Sequence, residues 1–112
     1  MIAVILESGE PARLYTALSL LVSTAAEGEP ARGFVSFGAL AALQEDLPGD
    51  DVFHRSLREL RETAAELPDC RLWACAAAVD TTGHQPDGRL IEGVMSTPRF
   101  LKEATGARLV VV

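Results

Sequence analysis

Two kinds of apolar spacing alternate along this chain, and the alternation restricts it to one class of fold. Ile2-Ala3-Val4-Ile5-Leu6 is an unbroken apolar run, the pattern of a strand covered on both faces. Glu7-Ser8-Gly9-Glu10-Pro11 interrupts it. Leu14, Ala17, Leu18, Leu21, Val22 and Ala25 then follow at i, i+3, i+4 and i+7, the stripe of an amphipathic helix closed by Gly28. Ala31 to Phe37 reads as a second strand, weakened at its start by Gly33. Gly38 to Leu43 reads as a short helix, and Pro48-Gly49-Asp50-Asp51 as a loop that offers a helix cap. Phe53, Leu57, Leu60, Ala64 and Leu67 mark a second long helix, ended by Pro68. Arg71 to Ala74 is the third strand. Thr81 to Gly93, rich in glycine, is the least regular stretch. Ser96-Thr97-Pro98 opens a short helix capped by Ser96, Gly106 closes it, and Arg108 to Val112 is a last strand.

Strands alternating with helices imply right-handed crossovers and a mainly parallel sheet between helical layers. The expected fold is α/β, a three-layer, Rossmann-like α/β/α arrangement with about five strands, a usual number for a sheet. A length of 112 residues fits one domain, spanning 1–112. In such sheets ligands and chemistry collect at the carboxyl ends of the strands. Those ends carry Ser8-Gly9, Ser36-Phe37-Gly38, Cys75 and Met95-Ser96.

Cys75 stands out among them. It follows the apolar Leu72-Trp73-Ala74 and precedes Ala76-Ala77-Ala78, strong helix formers. A cysteine at that switch lies at a helix N-terminus, where unpaired N–H groups and the macrodipole favour the reactive thiolate. The plainer alternative is a buried structural thiol, since free cysteine is among the most buried residue types. Cys70, after Pro68-Asp69, falls at the opposite end of the same strand. Five strand residues span roughly 16 Å, and a disulfide needs Cα atoms within about 7 Å, so no internal bridge is expected. Free thiols suit the cytoplasm.

Other chemistry is weaker or excluded. His84, in a Gly- and Pro-containing loop, could serve Cys75 as a base, but a lone loop histidine is more often only solvated. His54 has no evident partner in the sequence, and Trp73 reads as core. No cysteine or histidine spacing resembles a metal site, and no cofactor is expected. Glu7-Ser8-Gly9-Glu10 precedes a helix but lacks the glycine pattern of a dinucleotide site, and its carboxylates repel phosphate. A net charge of −6 with scattered basic residues argues against nucleic acid. The longest apolar stretch, Ala17 to Val22, is far short of the ~20 residues of a membrane span, and the first apolar run lacks the flanks of a signal peptide.

The segment Leu72-Trp73-Ala74-Cys75-Ala76-Ala77-Ala78-Val79-Asp80-Thr81-Thr82-Gly83 resembles the cysteine segment of the DsrE/TusD sulfur-relay family. Met1 to Ala26 is similar to that family's first strand, loop and long helix. Ile91 to Ser96, Phe100-Leu101 and the last strand resemble its closing pattern. The resemblance implies a DsrE-like cytoplasmic sulfur carrier or sulfurtransferase whose cysteine, here Cys75, accepts sulfur as a persulfide and passes it to a partner thiol. It also implies a homo-oligomer, a trimer or hexamer, with Ser8, Gly9 and Gly38 as substrate-binding candidates around the thiol. Asp80-Thr81-Thr82 departs from the family, whose TusD-like branch is basic there. The alternatives are a non-catalytic small-ligand-binding module and a structural subunit of an oligomeric complex.

Overall fold

Each apolar run becomes a strand and each apolar stripe a helix. In the computed structural model, which describes residues 1–112, β1 (Ile2–Leu6) leads into α1 (Pro11–Ala26) and then β2 (Ala31–Val35). Two helices follow, α2 (Phe37–Gln44) and α3 (Val52–Glu66), before β3 (Cys70–Cys75) and α4 (Ala76–Thr82). The chain closes with β4 (Ile91–Met95), α5 (Thr97–Glu103) and β5 (Arg108–Val111). The five strands form one sheet in the order β4-β3-β2-β1-β5, and every neighbouring pair is parallel. The fold is α/β, as the alternation requires.

Strand order decides where the helices lie. From β1 to β4 the chain steps in one direction, and right-handed crossovers then put α1, α2, α3 and α4 on one face. The step from β4 to β5 runs back across the sheet, so α5 sits alone on the other face. Side-chain alternation agrees. A Cβ on Gly33 would lie 2.7 Å from Leu72 Cγ and 3.5 Å from Leu21 Cδ1, on the α1 side. One residue on, Phe34 stacks on Phe100 of α5 with ring centroids 4.7 Å apart, and Trp73 meets the same ring at 6.5 Å.

The register pairs Phe34 with Ile5, Ile5 with Val111 and Ala3 with Leu109, which puts Leu109 and Val111 on the α5 face. Seven residues of helix do not reach that far. Leu109 stays 51% exposed and Val111 69% exposed. No helix is long and apolar enough to cross a membrane.

Three boundaries differ from the periodicity. The second strand stops at Val35, because Phe37 turns into the left-handed region (φ +42°) and starts α2. The third strand takes in both cysteines. Ile91 to Met95, read partly as irregular chain, is the edge strand β4, where Glu92 and Gly93 break the apolar pattern beside a register shift.

Phe100 is fully buried and is the largest side chain α5 contributes to the core. Phe100→Ala should therefore cost about 3–5 kcal/mol. Urea unfolding followed by circular dichroism measures it, and a loss under 1 kcal/mol would contradict this assignment of the anchor.

Candidate functional site at the carboxyl edge of the sheet

Three segments converge where β1, β2 and β5 end. Ser36 leaves β2 and is almost fully buried; its N–H and its Oγ–H both donate to Leu6 O, at 2.9 and 3.3 Å. Ala39 N–H donates to Glu7 O at 3.0 Å. These bonds press the β2–α2 corner against the β1–α1 loop. A Cβ on Gly9 would lie 2.8 Å from Gly38 O, and one on Gly38 would lie 3.2 Å from Gly9 N, so only glycine fits at either position without movement. The Ser8 hydroxyl accepts from Glu10 N–H at 3.1 Å and shapes the entry to α1.

Between these segments lies a cavity of about 520 Å³, lined by Glu7, Ser8, Arg13, Phe37, Gly38, Val111 and Val112. Ser8 and Gly38 share it, while Gly9 supports it from behind by contact with Gly38. Arg13 and the two valines carry no signal in the sequence that marks them as ligand-facing, and Phe37 is placed at this edge without a role of its own. Its role was hidden because it reads as the last residue of an apolar strand.

Cys75 does not line this cavity. It ends β3 opposite Met95, caps α4 without a side-chain hydrogen bond to the helix, and is 7% exposed. Counting from Trp73, alternation puts Cys75 on the α5 face and Cys70 on the α1 face. The two thiols therefore lie at opposite ends and on opposite faces of one strand, both free. Ser8 and Gly38 share the cavity lining without Cys75, while the pairing of Val35 with Ala74 brings Cys75 to the strand next to the β2–α2 corner. Ser8, Gly9 and Gly38 cluster at β1 and β2, and the thiol stands at β3.

The histidines lie elsewhere. α4 carries the chain away from Cys75, and the 83–90 loop leads to the start of a parallel strand, so exposed His84 belongs to the amino edge. Gln44 holds that loop by donating to Gln85 O at 2.9 Å and accepting from Asp87 N–H. Arg89, the first cation after Cys75, is clamped there by Glu62. His54 does have a partner: Asp51 accepts from its backbone N–H and contacts Nδ1, both at 2.9 Å. The His54 backbone N–H is the main reason the Asp51 carboxyl is held below its ordinary value. No three His, Cys, Asp or Glu side chains gather as metal ligands.

Burial pushes the Cys70 thiol up to about 11, with Arg32 offsetting part of the shift. Only the thiolate reacts, and a displacement of two units from 9.0 to about 11 lowers the thiolate fraction roughly 100-fold at neutral pH, which slows alkylation. The same shift links to stability. Between 9 and 11 the unfolded state loses a proton that the folded state keeps, so stability falls as pH rises through that window, by up to ~2–3 kcal/mol. Cys70→Ala should flatten that alkaline limb in urea titrations at pH 8 to about 10.5. Limbs of equal slope would contradict the burial argument.

No protein-family model matches the chain, and no curated protein matches it in sequence. Among solved structures it is similar to the crystal structure of the ychN protein from E. coli, at 15% identity and a TM-score of 0.63, over 100% of this chain and 99% of that one. That likeness shows the fold: a parallel α/β sheet with this chain's extent and layering.

Proposed function

We propose that the chain is a sulfur carrier with sulfurtransferase-like activity, holding a persulfide on Cys75. One observation carries the reading: Cys75 caps α4 at the carboxyl end of a central parallel strand, the edge at which such sheets place their chemistry. The likeness of the Leu72–Gly83 segment to DsrE/TusD proteins supports it. The Cys75 thiolate attacks the outer sulfur of a donor persulfide. A new S–S bond forms on Cys75, the donor S–S bond breaks, and the donor leaves as a thiolate. A thiolate on a partner protein then takes the outer sulfur by the same exchange, which returns Cys75. No external oxidant is consumed. The chemistry needs a reduced thiol, and so fits the cytoplasm.

The carrier is a homo-oligomer in this proposal, a trimer or hexamer. The exposed apolar side chains of Leu109 and Val111 on edge strand β5 support assembly, because burying them and pairing the open edge are both favourable. A second reading is favoured by the burial of Cys75 and by its absence from the lining of the cavity. In that reading the chain is a non-catalytic module binding a small ligand between Ser8 and Gly38, and Cys75 is core.

Intact-mass spectrometry after incubation with a persulfide donor separates the two. Wild type and Cys70→Ser should each gain one sulfur, and Cys75→Ser should gain none while staying folded. Sulfur that follows Cys70, or that persists without Cys75, returns Cys75 to the core. Light scattering at micromolar concentration should give a multiple of the chain mass, and Val111→Glu should lower it. A monomeric wild type refutes the assembly.

A further inference from the structure

Phe37 is the only residue besides glycine with a positive φ, at +42°. The residue is nonetheless 43% exposed. The backbone thus spends conformational energy to point an aromatic ring outward rather than into the core. The conformation is enforced from both sides. Ser36 is tied to Leu6 O, Ala39 N–H is tied to Glu7 O, and Gly38 abuts Gly9. The ring opens onto the cavity between β1, β2 and β5, whose volume of about 520 Å³ falls in the small-molecule range. That cavity lies outside the carboxyl ends of β1 and β5, where the helical cover changes face and open α/β sheets place ligands.

The lining sorts by chemistry. Phe37, Val111 and Val112 offer an apolar wall, and Ser8 offers a hydroxyl. Arg13 supplies one positive charge and Glu7 one negative. Arg13 is held only by an exposed contact to Glu10 at 3.4 Å, and is free to take another partner. An anion would satisfy Arg13 but face Glu7; a cation would meet the reverse. We propose that this cavity binds a small zwitterion with a flat apolar group, the chemistry of an aromatic α-amino acid. Its carboxylate lies on Arg13, its ammonium on Glu7 and its ring on Phe37. This deepens the ligand-binding reading and does not depend on sulfur transfer at Cys75.

Titration calorimetry at neutral pH with three probes tests it. L-phenylalanine should bind saturably, one per chain, at least tenfold tighter than 3-phenylpropionate or 2-phenylethylamine. Arg13→Gln should weaken L-phenylalanine and 3-phenylpropionate and spare 2-phenylethylamine. Glu7→Gln should weaken L-phenylalanine and 2-phenylethylamine and spare 3-phenylpropionate. Phe37→Gly, which fits φ +42° without strain, should lose binding at an unchanged or higher melting temperature. If the half-ligands match L-phenylalanine and still depend on Phe37, the zwitterion class is wrong and ligand binding stands. If no probe binds, both fail. If Phe37→Gly instead lowers the assembled mass, the ring is a subunit contact and the proposal is overturned.

Discussion

The packing of Phe100 between Phe34 and Trp73 is the contact on which the two-sidedness of this sheet depends. A helix of seven residues has too few internal hydrogen bonds to persist alone, so α5 exists because its phenyl ring is buried. Without it, one face of β2 and β3 would lie open to water. Ser96 at the N-cap adds a hydrogen bond from Arg99 N–H at 3.3 Å, a minor term beside the ring. Arg71 closes the same face lower down. Its guanidinium lies 5.2 Å from the centre of the Trp73 ring and binds Glu92 through two hydrogen bonds, at 2.9 and 2.8 Å. A charged group thereby covers an aromatic one where no helix does.

The carboxyl edge follows a different logic. There the backbone, more than the side chains, fixes the geometry: two glycines in contact and two N–H groups, of Ser36 and Ala39, bonded across from the β2–α2 corner to Leu6 and Glu7. Such a corner is rigid, because Cβ atoms would be rejected and its hydrogen bonds tie together segments some thirty residues apart. Rigidity is what lets Phe37 keep an unfavourable φ. Cys75, one strand further along, has no comparable frame; it is held by packing opposite Met95 and by the start of α4.

Much of this was legible in the sequence. The unbroken run Ile2 to Leu6 and the stripes of α1 and α3 depend on local periodicity alone, and the structure has them with small shifts. The caps at Asp51 and Ser96 follow from local chemistry and are present. Strand β4 was harder to read because an edge strand needs apolar residues on fewer contacts, and Glu92 can serve an ion pair instead. The end of β2 was misplaced because an apolar Phe37 continues a strand pattern while its φ does not. The cavity was legible only in part, through Ser8 and Gly38. Its walls come from the β1 loop, the β2 corner and the end of β5, and only the strand order brings those together.

The step back across the sheet from β4 to β5 bears on how the chain reaches its native state. β1 is synthesised first, yet one of its two partners is β5, made last, with Ile2 opposite Arg108 and Ile5 opposite Val111. Until those residues emerge, β1 can pair only with β2, and its other edge stays open and apolar. A long-range parallel pairing of this kind is slow to close and exposes a sticky edge while it waits. The nascent chain is therefore most vulnerable to wrong strand pairing during the interval between β2 and β5. Substitutions in β5 should damage yield during synthesis more than they damage the finished protein.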